Sequence, residues 1–287
     1  MISPQQWYAQ TQGFDFNGHR IVYRDQGQGE EALLLIHGFP TCSWDYAALW
    51  PRLDSRFARL VAPDMLGFGR SDKPAGHAYS MIEQTDLHLA LLAELGVTRI
   101  HILAHDYGVS LAQELLAREL EGCAPRILSV ALLNGGLFPE THRLTRMQRL
   151  LRSPLGGLVS RLSSFRSFSR SFSLVFGPQT RPSDSELRAF WELICHQQGH
   201  HRLHELIRYI DDRRAHRARW VGALQRTRVR VRLINGPEDP VSGAHMVARY
   251  RELIPNPDIV SLPGIGHYPQ VEDPDGVWAA LQGLWET

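Results

Sequence analysis

Short runs of largely apolar residues alternate along the chain with longer stretches in which apolar positions recur every three or four residues. Ala32–Ile36 is an unbroken apolar run, and Ile100–Ala104 and Ile127–Leu133 are apolar except for His101 and Ser129, the pattern of strands buried on both faces. Arg59–Ala62, Val229–Ile234 and Ile259–Leu262 are further strand-like stretches, with Arg59, Arg230, Arg232 and Ser261 among the apolar residues. Ahead of them, Phe14–Phe16 and Ile21–Tyr23 flank Asn17-Gly18, a pair that turns one short strand back on another. Tyr46–Leu53, Met81–Leu95, Val109–Leu120 and the closing Trp278–Trp285 have helical spacing, and Gly96 stops the second of these. Strands that alternate with helices predict an α/β chain with a mostly parallel, eight-stranded sheet and helices on both faces. The rhythm breaks from Leu137 to Gly222, where helical stretches rich in Arg, Ser and His replace strands. An all-helical insertion between βα units predicts a cap over the carboxyl edge of the sheet, where open α/β sheets bind ligands. The expected division is therefore a core of residues 1–136 and 223–287 and a helical cap, or lid, of residues 137–222.

Bulk properties narrow the function without naming it. The 287 residues are 43% hydrophobic and 21% charged, with net charge +1. That balance gives no general attraction for nucleic acid or membrane. No apolar run near the N-terminus is long enough for a signal peptide or a span, so a cytoplasmic protein is expected. Cys42, Cys123 and Cys195 are odd in number and widely spaced, which fits reduced thiols.

The chemistry concentrates where the Ile100–Ala104 strand meets the following helix, at Ala104-His105-Asp106-Tyr107-Gly108. Small residues two before and two after a central residue let a sharp strand-to-helix turn pass close to its neighbours. The central side chain is then held clear of the sheet as a nucleophile. Here it is Asp106. A carboxylate needs no deprotonation to attack a saturated carbon and form an ester. It is a poor acyl-transfer nucleophile, because the product would be an anhydride. The ester must then be hydrolysed by water that a histidine activates.

That histidine belongs in a loop after the last strand, where His267 sits in Pro263-Gly264-Ile265-Gly266-His267-Tyr268-Pro269. The acid that orients it belongs after Val229–Ile234, where Asp239 is the candidate and Glu238 its local rival. The alternative place for an acid, after the preceding strand, is held near Asn134, which does not ionise. Two backbone amides, those of Phe39 in His37-Gly38-Phe39-Pro40 and of Tyr107, are the expected oxyanion donors. His37, Trp44 and His105 are expected at the substrate pocket.

The segments HGFP, PDMLGFGRSDKP, AHDYG, GPEDPV and GHYPQVEDP resemble the epoxide hydrolase and haloalkane dehalogenase branch of the α/β-hydrolase superfamily. NGGLFPETHR, VFGPQTRPSDSEL, RWVGAL and HYPQVEDP resemble, more narrowly, the group of the mesoderm-specific transcript protein and its bacterial relatives. The resemblance implies an α/β-hydrolase fold and a hydrolase of alkyl electrophiles, acting on a small hydrophobic substrate and water without metal or cofactor. Dehalogenases of this branch place Trp after the nucleophile and often Asn in the oxyanion turn; here Tyr107 and Phe39 stand there. Epoxide hydrolases use His-Gly-x-Pro, which is present, and cap tyrosines that protonate the leaving oxygen. Tyr209 resembles the second of those tyrosines, and the Phe165–Phe176 region offers no counterpart of the first. The implied activity is epoxide hydrolysis to a vicinal diol. Its rivals are dehalogenation with the same triad and ligand binding without catalysis.

Two further patterns stand apart. His196, His200 and His204 share a spacing of four, a metal face only if the helix runs unbroken through Gly199. Arg143, Arg146, Arg149, Arg152, Arg161, Arg166 and Arg170 have almost no acidic neighbours. They read as a solvated face, with docking to an anionic surface and steering of an anionic substrate as sharper alternatives.

Overall fold

A computed structural model describes residues 2–285. Eight strands form one sheet: β1 (Thr11–Phe16), β2 (His19–Gly27), β3 (Glu31–Ile36), β4 (Arg59–Pro63), β5 (Arg99–Ala104), β6 (Arg126–Leu132), β7 (Arg230–Asn235) and β8 (Asp258–Ser261). Their order is β1-β2-β4-β3-β5-β6-β7-β8. β2 runs antiparallel to both its neighbours, and every pairing from β4 to β8 is parallel. Asn17 and Gly18 turn the β1–β2 hairpin with φ of 54° and 79°, the left-handed conformation that a two-residue hairpin turn requires.

The central strands β3 and β5 are buried through their apolar runs, as sheet covered on both faces demands. Helix Tyr107–Leu120 packs against β3, β5 and β6, and helix Met81–Glu94 packs against it in turn. The closing helix Pro274–Trp285 lies on β6 and β7. One expected helix is displaced. Instead of Tyr46–Leu53, a 3₁₀ turn at Ser43–Tyr46 precedes an α-helix at Trp50–Arg56. Pro51 explains the shift: it has no N–H to donate, so it belongs in the first turn of a helix and not in its middle.

Between β6 and β7 the chain is helical, with helices at Arg146–Arg152, Gly156–Arg161, Phe165–Phe172, Asp184–Cys195, Leu203–Leu206, Tyr209–Ala215 and Arg217–Arg226. The last of these runs past position 222 and lies along helix Tyr107–Leu120. There Trp220 Nε1 donates to Glu114 Oε2 at 2.8 Å, and Arg219 pairs with both Glu114 and Glu121. The histidine stretch is not one helix. Helix Asp184–Cys195 ends, and Gln197 and Gln198 take left-handed φ before the chain resumes. Among the described residues, no set of three or more His, Cys, Asp or Glu side chains is placed to share a metal ion.

Asp64, just beyond β4, ties the loops around the future site together. Its buried carboxylate accepts from Tyr8 Oη at 2.8 Å, Ser43 N at 2.9 Å, Ser43 Oγ at 2.6 Å and Arg70 N at 2.8 Å. Removing it strands these donors away from water. Asp64→Ala is therefore expected to cost about 3 kcal/mol of stability, read from the urea unfolding midpoint. A loss below about 1 kcal/mol would show that water replaces the carboxylate there.

Candidate functional site

The site is built on a forced turn. β5 ends at Ala104, and Asp106 takes φ 43° and ψ −100° before the helix begins at Tyr107. A non-glycine residue is held there only when its surroundings fix it. His105 N donates to Ile36 O at 2.9 Å and Asp106 N to Asn134 O at 2.8 Å, so the ends of β3 and β6 grip the turn from both sides. Gly108 lets the following helix approach β3: a Cβ there would lie 2.4 Å from Ile36 O.

The turn presents the buried Asp106 carboxylate to a cavity. Asp106 Oδ2 accepts from Phe39 N at 3.1 Å. The Tyr107 amide, the other expected donor, makes no hydrogen bond to this carboxylate. His267 Nε2 lies 3.8 Å from Asp106 Oδ1, an ion-pair distance longer than a hydrogen bond. Its Nδ1 donates to Asp239 Oδ2 at 2.7 Å. Asp239 also accepts from Val241 N and Ser242 Oγ, each at 2.7 Å, and from Asn134 Nδ2 at 3.0 Å. Glu238 points to solvent.

Charge balances inside this buried cluster. Burial disfavours the His267 cation, but the Asp239 and Asp106 carboxylates outweigh it and lift its pKa to about 10. Burial likewise opposes ionisation of Asp106, yet His267 and Arg213 hold its carboxyl below the usual range. Asp239 is lowered as well: burial is overcome by His267 and by its hydrogen-bond donors.

Several residues play parts that the sequence did not announce. Asn134 is a bridge: besides its bond to Asp239, it accepts from Gly236 N at 2.7 Å and donates to Gly236 O at 2.9 Å. Arg213 reaches from helix Tyr209–Ala215 into the elbow. Its Nη2 donates to Asp106 O at 2.7 Å and lies 3.6 Å from Asp106 Oδ1, while its Nε donates to Ser110 Oγ at 2.8 Å. It also stacks over the Tyr209 ring, 4.5 Å from the centroid. The one available signal was spacing, since Tyr209 and Arg213 are four apart and share a helix face.

Tyr209 is buried, and its ring centroid lies 5.0 Å from that of Tyr107 and 5.8 Å from that of Phe39. Its hydroxyl has no hydrogen-bond partner, and burial together with the Asp106 charge raises its pKa. It is not among the residues that line the cavity. The expected pocket residues also lie elsewhere. His37 Nε2 accepts from Met65 N at 3.0 Å, fastening two loops. Trp44 packs on Phe190 and donates to Ile2 O. His105 Nε2 donates to His267 O at 2.7 Å, and burial keeps its pKa down at about 3, so it is a neutral strut beneath the site. Each of the three commits a ring nitrogen to backbone, and none lines the cavity. The wall is apolar instead, with Phe39, Val241 and Tyr268 from the sheet side facing Leu151, Phe172 and Trp191 from the helical segment.

The sequence profile of the alpha/beta hydrolase family matches residues 33–280. The chain is 43% identical to the mesoderm-specific transcript homolog protein of Homo sapiens, over 97% of this chain and 86% of that protein. It is 41% identical to LipZ of Mycobacterium tuberculosis, over 92% of this chain and 91% of that one. Among solved structures, the haloalkane dehalogenase DatA of Agrobacterium tumefaciens superposes with a TM-score of 0.79 at 20% identity, covering 95% of this chain and 94% of that one.

The electrostatics carry a direct test. In Asp239→Asn the strongest attraction on the His267 cation is gone, so its pKa should fall by roughly one unit or more, followed by NMR titration of the imidazole. An unmoved titration would mean that Asp239 does not set the charge of His267.

Proposed function

The chain belongs to the alpha/beta hydrolase family, and from that premise we propose that it hydrolyses alkyl electrophiles through a covalent ester on Asp106. The observation that carries this reading is a carboxylate, not a hydroxyl, at the strained elbow, facing both an apolar cavity and His267. The helical segment 137–222 serves as the cap that closes the cavity over Asp106. The substrate is a small hydrophobic molecule, and the preferred class is epoxides.

In this reading Asp106 attacks a ring carbon and the C–O bond breaks. Tyr209 gives its proton to the departing oxygen, and the proton on His267 restores it. Forming the ester removes the negative charge of Asp106, one of the two that raised the His267 pKa, so the imidazole loses its hold on a proton. Neutral His267, oriented by Asp239, then takes a proton from water. The resulting hydroxide adds to the ester carbonyl, whose oxygen gains negative charge beside the amides of Phe39 and Tyr107. Collapse of this intermediate releases the diol and restores both the Asp106 carboxylate and the His267 cation.

Arg213 steadies the elbow throughout, because it holds the Asp106 carbonyl and favours the ionised side chain. The free hydroxyl of Tyr209 supports epoxides over halides. The buried Trp and Asn partners that a halide needs do not stand at 107 and 39. Because Tyr209 packs on Phe39 and Tyr107 and does not line the cavity, its part requires the substrate oxygen to reach beyond the lining residues.

His267→Gln should trap the ester. After exposure to pooled epoxides and haloalkanes, intact-mass spectrometry is expected to show an adduct carrying the full mass of an epoxide, mapped to Asp106. An adduct lacking halogen would establish dehalogenation, and no adduct would favour a binding protein on this scaffold. Tyr209→Phe should lower epoxide turnover by about a hundredfold. Unchanged turnover removes Tyr209 from the mechanism.

A further inference from the structure

The helical segment carries a surface that hydrolysis does not require. Residues 141–183 contain eight arginines and no Lys, Asp or Glu, in a chain whose net charge is only +1. Arg143, Arg146, Arg149, Arg161, Arg166, Arg170 and Arg181 are exposed, and none has an acidic partner within salt-bridge distance among the described residues. Arg152 alone pairs, with Asp211.

The same stretch holds five of the six large apolar side chains that are exposed among the described residues: Leu150, Leu155, Leu158, Leu162 and Leu174. Leu155, Leu158 and Leu162 are spaced three and four apart and so share one face of helix Gly156–Arg161 and its caps. Leu162 is 72% and Leu155 65% exposed, values that a monomer in water has no reason to maintain in a cluster. Helix Arg146–Arg152 packs against this helix and is two-sided. Met147, Gln148 and Leu151 line the catalytic cavity, while Arg146, Arg149 and Leu150 face out.

We propose that this face docks the protein on an anionic lipid bilayer. Exposed arginines and leucines on helices that pack on one another match the two layers of such a membrane, charged headgroups over hydrocarbon. A nucleic acid would satisfy the arginines but leave the leucines in water. The docking is peripheral, since no helix among the described residues is long and apolar enough to cross a membrane. Because one helix both roofs the cavity and meets the bilayer, a lipophile dissolved in the membrane has a short route to Asp106. The docking itself does not depend on which electrophile is cleaved.

The test is sedimentation of the full chain with vesicles of phosphatidylcholine, alone or mixed with phosphatidylglycerol. Binding is expected to the anionic vesicles and to weaken as salt rises. Each of Arg146→Gln and Arg149→Gln should weaken it about fivefold. Leu155→Ser with Leu158→Ser should weaken it about tenfold. All these side chains are exposed, so thermal unfolding should not change, and a variant that unfolds early is replaced by Leu162→Ser alone. Equal binding to both kinds of vesicle, or none to either, overturns the proposal. So does binding to single-stranded RNA that outcompetes the vesicles and ignores the leucine changes.

Discussion

Everything at this site depends on one constraint, the close approach of helix Tyr107–Leu120 to the end of β3. Without a side chain at Gly108, the helix can begin one residue after Asp106, which is forced into a backbone conformation it would not choose. Hydrogen bonds from the ends of β3 and β6 hold it there. The strain is confined to one residue and is offset by the buried parallel strands around it. What the turn gains is a rigid carboxylate aimed into the cavity, with its position fixed by backbone.

A fixed carboxylate in an apolar place would protonate unless cations faced it. Here His267 and Arg213 both face it, one from the loop after β8 and one from the helical segment. Asp239 compensates His267 in turn, and Asn134 holds Asp239 to the strand end next to the elbow. The cluster is neutral as a whole but polarised. A chemical step that removes the charge of Asp106 therefore changes the proton affinity of His267, which couples the two halves of an ester mechanism.

Arg213 also joins the two parts of the chain. The helical segment does not merely lie over the sheet; it reaches down and bonds the backbone of Asp106. Its outer side presents arginine and leucine to the surroundings, and its inner side walls the cavity. A disturbance of the outer face thus has a short physical path to the elbow, through helices that pack on one another.

The sequence by itself determined the elements and which residues stand at the strand exits that meet at the candidate site. Strand and helix follow from periodicities that need only neighbouring residues, so all eight strands and the helical insertion were legible, and Pro51 moved just one helix start. Asp106, Asp239 and His267 were legible because each sits at a strand exit with its own local motif, and the fold brings them together. What only the tertiary structure decided are contacts between residues a hundred or more positions apart. Arg213 on Asp106, Asn134 on Asp239 and His105 beneath His267 leave no local pattern. The same reason misplaced His37, Trp44 and His105 at the pocket. Their residue types suit a cavity wall, but each has a ring nitrogen taken up by the backbone of a residue far along the chain, Met65, Ile2 or His267. It also hid the exposed leucines, because an apolar residue on a short helix is buried or bare according to what packs over it.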